Sequence, residues 1–121
     1  MPAINNTATE QLAAFAAGLH FEHLPESGVR KTGDLMVDWF GSALAGKGAR
    51  PVESIARFAA RMGGAIGPSE VLIDRNRSSP YLAAMVNAAA SHVAEQDDVH
   101  NGSVFHPATV VFSAALATAQ A

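Results

Sequence analysis

The sequence lacks cysteine, which excludes disulfide bonds and thiolate metal ligands. Charge is also scarce, because only 16% of the 121 residues are charged, against roughly a quarter in typical soluble domains. The net charge of −3 disfavours a nucleic-acid partner, which requires a basic surface. No uninterrupted apolar run approaches the ~20 residues of a membrane helix, and MPAINNTATE has no secretory-signal pattern. We therefore expect a cytoplasmic protein that binds neither nucleic acid nor a membrane.

Basic side chains are missing from the last third of the chain. All eight Lys and Arg residues lie at or before Arg77, and the only charged residues after it are Glu95, Asp97 and Asp98. A segment without long solvated side chains is usually covered by protein. We predict that the C-terminal third is interior or interface.

Helix start and stop signals recur along the chain and predict an all-α fold, a bundle of about five helices in one domain over residues 1–121. The segment SEVLIDRNRSSP interrupts them, and its alternating Val71 and Ile73 predict one extended segment followed by a loop. The first helix is predicted from the capping-box spacing of Thr7 and Glu10. The second helix is predicted to start at Pro25 and end at Gly46, and the third to start at Pro51 and end at Gly63 and Gly64. The fourth is predicted to start at Pro80, after the cap Ser79, and to end at about Asp97; the fifth is predicted to start at Pro107.

The fifth predicted helix, PATVVFSAALATAQA, is apolar on all sides, which predicts that it is buried all round. The chain ends at Ala121 without a glycine cap or a basic last turn. Four modest helices do not supply neighbours on every side of a buried helix. We therefore expect a partner chain or a continuation of the sequence to complete the core.

A line of polar residues runs along the fourth predicted helix, where Asn87, Ser91 and Glu95 follow at intervals of four. For Asn87 and Ser91 we predict a satisfied hydrogen-bond seam between packed helices. Glu95 favours a functional interpretation, because an acid is costly to bury without a purpose.

The segment HVAEQDDVHNGSVFHP concentrates three histidines and three carboxylates in sixteen residues. Asn101-Gly102 predicts a chain reversal, and His106 before Pro107 predicts the N-cap of the fifth helix. The free NH groups and the dipole of that first turn form a natural seat for a carboxylate or a phosphate. His106 is then either a simple helix cap or a general base beside a bound anion.

A metal site is the rival interpretation of this segment. His92 and Glu95 share a helix face, and Asp98, His100 and His106 are the residues available to complete a coordination sphere. No standard motif such as HExxH occurs, so we favour a site without a metal.

Other polar residues receive structural interpretations. Asp97 is interpreted as a solvated acid at the end of a helix, and His20 and His23 as surface or capping residues. Ser103 has no evident base and acid partners, which argues against a hydrolytic triad.

The run PYLAAMVNAAASHVAEQDDVHNGSVFHPATVVFSAALATAQA resembles the MmgE/PrpD family, whose members commonly show an N-G/A-x-x-x-H segment, a DD turn, and HP before an alanine-rich helix. The earlier PESGVRKTGDLMVDWFGSALAG is similar to the opening helices of that family. The resemblance implies a large helical domain, of which residues 1–121 are an incomplete N-terminal part, with a smaller α+β domain, usually in dimers. It implies action without a metal or other cofactor on small polycarboxylates, as in 2-methylcitrate dehydratase, cis-aconitate decarboxylase and iminodisuccinate epimerase.

The resemblance also assigns site residues. The catalytic acid of the family falls on Glu95 and its histidine before proline on His106. The substrate-binding positions are Asp98, Val99, His100 and Ser103; Val99 replaces a threonine that often follows DD, which weakens the case for a dehydratase.

The implied function is a lyase or isomerase that abstracts a proton next to a carboxylate of a di- or tricarboxylate. The further catalytic lysine, histidine and tyrosine of the family lie beyond Ala121, so we expect this chain to hold part of a site and to be inactive alone. The expected partners are the substrate and either a second copy or a complementing chain. The alternative is a non-catalytic helical fragment or subunit that only packs with partner chains.

Overall fold

The computed structural model describes residues 7–63 and 66–121, and most of these residues are helical. The predicted all-α class with about five helices is confirmed. None of the helices within the described ranges has both the length and the hydropathy of a membrane span. The elements in chain order are α1 (Ala8–Gly18), a 3-10 turn (Phe21–His23), α2 (Glu26–Ala45), α3 (Arg50–Gly63), β1 (Ser69–Glu70), β2 (Arg77–Ser78), α4 (Pro80–Val93) and α5 (Pro107–Ala119).

The first of two compact units ends at Lys31 and contains α1. The predicted capping box is confirmed, since Thr7 Oγ1 accepts a hydrogen bond from Glu10 N at 3.2 Å and the Glu10 carboxylate accepts one from Thr7 N at 2.7 Å. The Glu10 carboxylate also accepts a hydrogen bond from Thr7 Oγ1 at 3.0 Å. The hydrogen bond from the Thr7 backbone, and then the one from its hydroxyl, hold the pKa of Glu10 below its usual value. No residue of α1 is buried, so local capping rather than packing defines where this helix begins.

The second unit, Thr32–Ala121, is built around α4, which contacts both α3 and α5. Its core consists of two apolar clusters. One joins α3, α4 and the hairpin loop through Val52, Ala59, Val71, Ile73, Leu82, Ala83, Val86 and Ala90. The other joins α2 and α5 through Trp39, Ala43, Leu72 and Ala108, with Phe112 and Leu116 packed against it.

The end of α2 is predicted correctly at Gly46, and the reason is a close approach of two backbones. A Cβ atom on Gly46 would clash with the carbonyl oxygen of Ala90 in α4. The chain then turns through Gly48, whose φ of 82° is readily adopted only by glycine. The end of α2 can therefore lie directly against α4.

The segment between α3 and α4 is a small hairpin, not the single extended segment predicted. β1 and β2 are antiparallel, with Ser69 opposite Ser78. The loop is closed by a hydrogen bond from Val71 N to Asn76 O at 2.8 Å, and the Asp74 carboxylate accepts from both the backbone and the side chain of Asn76. This turn returns the chain to pair with itself, which a search for alternating apolar residues does not detect.

The predicted polar seam on α4 is confirmed for Asn87 and Ser91. The buried Asn87 side chain accepts from Leu72 N and donates to Glu70 O, both at 2.9 Å, so its partners are the backbone around β1. Ser91 Oγ lies 3.1 Å from Thr109 Oγ1 and so links α4 to α5.

Two predictions about the last helices are wrong. α4 ends at Val93 rather than near Asp97, because the chain leaves the helix at Ala94 and reaches Glu95 with a φ of 49°. α5 is not buried all round, since Val110 and Val111 are both 56% exposed. In the described part of the chain α2, α4 and β1 pack against α5, and they leave this face uncovered. The predicted helix end at Gly63 is confirmed, whereas Gly64 lies outside the described residues.

Candidate functional site

Asp97 is the centre of a cluster that joins the end of α4 to the start of α5. Its side chain is 0% exposed, and its Oδ1 lies 3.3 Å from His106 Nδ1 and 3.6 Å from His92 Nδ1. The two imidazole rings are 5.0 Å apart in an edge-to-face arrangement. The prediction of Asp97 as a solvated acid is therefore wrong.

The local fold explains why Asp97 points inward. Because α4 ends early and Glu95 adopts a left-handed conformation, the next residues turn back toward the helices. Thr109, in the first turn of α5, donates a 2.6 Å hydrogen bond to Asp97 Oδ2, and Ser91 of α4 supports Thr109. Asp97 is thus held from both helices, and its other oxygen, Oδ1, is left to face the histidines.

The His106 ring is only partly buried, with one nitrogen in the protein interior and part of the ring exposed to solvent. Its side chain is 29% exposed, yet Nδ1 is buried against Asp97 Oδ1. Although 3.3 Å separates these two atoms, their alignment does not meet hydrogen-bond geometry, and neither atom has another hydrogen-bond partner among the described residues.

The simple cap predicted for His106 is not formed by its side chain, and Asp98 caps α5 in its place. Asp98 Oδ1 accepts a hydrogen bond from Ala108 N at 2.9 Å, whereas the His106 side chain makes no capping bond. Because Pro107 has no NH group, Ala108 offers the first free donor of the helix. The seat that the sequence predicts for a ligand anion is therefore partly occupied by a carboxylate of the protein itself.

Beside the cluster is an open hollow of about 230 Å³. Its wall is mainly apolar, with two imidazole rings and one hydroxyl as the polar groups; the lining residues are His92, Val104, Phe105, His106, Thr109 and Val110. A mainly apolar wall with a few convergent polar groups is typical of a small-molecule site. The volume suits a small ligand. His92, His106 and Thr109 each line the hollow and contact Asp97, and of the two imidazoles His106 lies nearer to Asp97 Oδ1.

Glu95, the predicted catalytic acid, does not join the cluster. It is exposed, and within the described residues its side chain forms no hydrogen bond or ion pair. The reason is again the early end of α4, because a longer helix would have continued the polar line of Asn87 and Ser91 through this position.

The loop that follows carries the remaining predicted residues, and it is closed by a bridge in which His100 N donates to Phe105 O at 2.8 Å. His100 Nδ1 lies 2.9 Å from Ser103 Oγ, and both residues are exposed, as is Val99. In the described part of the chain no carboxylate contacts His100, so this pair does not form a hydrolytic triad. These residues do not line the hollow, but the next two, Val104 and Phe105, do.

The cluster differs from the set of metal ligands that was considered from the sequence. Of the five residues considered there, only His92 and His106 come together, and Asp97 supplies the carboxylate. The three ligand atoms lie within 4.8 Å of one another, so this donor set is able to hold a cation.

Sequence reasoning missed the role of Asp97 and its partner Thr109. The two residues are twelve positions apart, and their contact depends on a backbone turn that no local pattern predicts. One usable signal was Thr109 itself, a polar residue in the otherwise apolar start PATVVF of α5.

Comparisons with known proteins give one positive result. The family model of the MmgE/PrpD N-terminal domain matches residues 10–121. No curated protein and no solved structure matches the chain significantly. The family match covers nearly the whole sequence, including α4, α5 and the residues of the cluster between them. The chain therefore belongs to the MmgE/PrpD family, of which it carries the N-terminal domain.

Proposed function

We propose that this chain supplies part of the active site of an MmgE/PrpD-type lyase or isomerase that acts on a small di- or tricarboxylate in the cytoplasm. The proposed step is abstraction of a proton from the carbon next to a carboxylate; loss of the β-hydroxyl as water then completes an elimination, and return of a proton to the opposite face completes an epimerisation. In a decarboxylation the same imidazole, in its protonated form, gives a proton to the carbanion that departing CO₂ leaves. The observation that carries the proposal is the pair formed by the buried Asp97 and the partly exposed His106, beside a hollow of substrate size.

The geometry of the pair suits a general base. With the Nδ1 proton directed toward Asp97 Oδ1, His106 has the lone pair of Nε2 free to accept a proton from a ligand. The carboxylate then fixes the tautomer and stabilises the imidazolium that forms, as in other His-Asp pairs. The 3.3 Å separation is longer than an aligned bond, and such contacts commonly tighten when substrate binds.

The surroundings support a positioned base. Thr109 fixes Asp97 by a hydrogen bond, and Asp98 braces the start of α5, where His106 lies. In this proposal Asp97 takes the place that the sequence assigns to Glu95. The exposed residues Glu95, Val99, His100 and Ser103 contact substrate only when another part of the assembly covers their loop.

The proposal includes a partner, either a second copy of the chain or a complementing polypeptide. Its support is the uncovered apolar surface beside the hollow, formed by Phe105, Val110 and Val111. Covering this surface would exclude water from the base and would supply groups for the substrate carboxylates, since residues 78–121 contain no Lys or Arg.

The test is a turnover assay on the chain in its complete assembly, with any co-purifying polypeptide retained and a chelator present. Substrates are 2-methylcitrate, cis-aconitate and iminodisuccinate. His106→Ala should lower kcat by about 10²- to 10⁴-fold, the usual contribution of a general base. Asp97→Asn should lower kcat more than Glu95→Gln, because Asp97 is the acid that contacts the imidazole. Asp38→Asn, at an exposed acid of α2, is the control.

Equal kcat in wild type and His106→Ala would remove His106 from the chemistry. Absence of turnover of all three substrates by the complete assembly would instead favour the non-catalytic helical subunit.

A further inference from the structure

We propose that His92 Nδ1, Asp97 Oδ1 and His106 Nδ1 form a binding site for a divalent transition-metal ion of the Zn²⁺ type. Two of these atoms, Asp97 Oδ1 and His106 Nδ1, are buried without a hydrogen-bond partner in the described chain. Buried polar atoms without partners are uncommon, and an ion is one of the groups that satisfies them. The third residue, His92, lies with its ring half exposed at the mouth of the cluster.

The distances between the donor atoms agree with tetrahedral coordination. Ligands about 2.0–2.1 Å from a Zn²⁺ ion lie roughly 3.3–3.4 Å from one another in a tetrahedron. The observed distances to Asp97 Oδ1 are 3.3 Å from His106 and 3.6 Å from His92, and all three atoms lie within 4.8 Å of one another.

The chemistry of the donors selects the ion. Two imidazole nitrogens and one carboxylate oxygen suit Zn²⁺, whereas Mg²⁺ and Ca²⁺ prefer oxygen ligands alone. Thr109 donates to Asp97 Oδ2 and so orients Oδ1 toward the histidines, as outer groups do around metal ligands. Three protein ligands leave a fourth position for water or for a carboxylate oxygen of a ligand.

Metal binding and the proposed base are mutually exclusive states of His106. A neutral imidazole that coordinates through Nδ1 keeps its proton on Nε2, so it is unable to accept a second proton there. Zn²⁺ should therefore inhibit turnover. That consequence rests on the proposed function, whereas metal binding itself does not.

The test is a Zn²⁺ titration of the chelator-treated full chain against a chromogenic chelator, with Mg²⁺ titrated in parallel. We expect one Zn²⁺ per chain and no competition from Mg²⁺. Thr109→Val removes only the hydrogen bond to Asp97 Oδ2 and should weaken Zn²⁺ binding by roughly 10- to 100-fold. His92→Ala and Asp97→Asn each remove a ligand, and each should weaken Zn²⁺ binding by at least as much. The double variant His20→Ala/His23→Ala removes two histidines of the other unit and should bind as wild type does.

His92→Ala is the decisive variant, because His92 is half exposed and its removal leaves the buried Asp97–Thr109 contact in place. Circular dichroism of each variant verifies that it is folded. Wild type without stoichiometric Zn²⁺, or His92→Ala with unchanged affinity, would overturn the site. Either result leaves the base role standing, since that role is decided by His106→Ala turnover in the presence of chelator.

Discussion

A buried carboxylate such as Asp97 is stable only when its oxygens have partners, because its desolvation is costly. One oxygen has the Thr109 hydroxyl and the other faces two imidazole nitrogens. Removing these neighbours would leave an uncompensated charge, so the carboxylate and the histidines have to be arranged together. This mutual dependence is why we interpret the cluster as a functional unit and not as three separate polar residues.

At the same scale, Asn87 is a fully buried polar residue whose two side-chain hydrogen bonds connect α4 to the backbone around β1. Asn87→Ala should lower the free energy of unfolding by about 2 kcal/mol, because it leaves the buried Leu72 N and the partly buried Glu70 O without their partners. Urea unfolding monitored by circular dichroism measures the change. Asn76→Ala, in the exposed hairpin turn, is the matched control and should change stability by less than about 0.5 kcal/mol. Equal effects of the two variants would contradict the assignment of Asn87 as a structural anchor.

The sequence was sufficient to predict Asn87 and Ser91, because polar residues four apart in an alanine-rich helix indicate a packed seam. It was not sufficient for Asp97. Among three acids within four residues, which one is buried depends on where α4 ends, and that end depends on the positive φ of Glu95, a conformation without a residue signal such as glycine.

Among the elements, the beginning of α5 determines where His106 lies. Asp98 caps this helix from the preceding turn, and its charge also lies at the positive end of the helix dipole. Asp98→Ala should cost about 0.5–2 kcal/mol of stability, as the loss of a helix cap usually does. Asp98→Asn, which keeps an oxygen acceptor, should cost less. Urea unfolding compares the two variants, and hydrogen exchange at the Ala108 amide reports on the cap directly. Unchanged protection of that amide in Asp98→Ala would contradict the capping role.

Helix starts were predictable because they depend on local chemistry. Thr7 with Glu10, Ser79 before Pro80, and Pro107 each set a boundary through a cap or a fixed φ, and each boundary is found as predicted. The hairpin and the end of α4 were not, since both depend on turns whose residues have several possible conformations. Local capping rules were therefore sufficient to predict where these helices begin. The turn between α4 and α5 determines which residues form the site, and those rules did not predict it.

On the scale of the whole molecule, the segment of the sequence with few charged residues carries apolar surface that the described part of the chain leaves exposed. α5 was predicted to be enclosed, yet Val110 and Val111 remain exposed and Phe105 lines the adjacent hollow. A large exposed apolar surface usually marks a contact with another protein surface. The family match shows that residues 10–121 belong to an MmgE/PrpD N-terminal domain. The partner that we propose for this surface is the reason for testing the site in the complete assembly.

His106 is proposed to accept a proton from the carbon next to a substrate carboxylate. The measurement that decides this is the release of deuterium into water from a polycarboxylate labelled at that carbon, followed by NMR while the complete assembly converts it. Release should be rapid with wild type and about 10²- to 10⁴-fold slower with His106→Ala. Equal release rates from the two proteins would show that His106 is not the base.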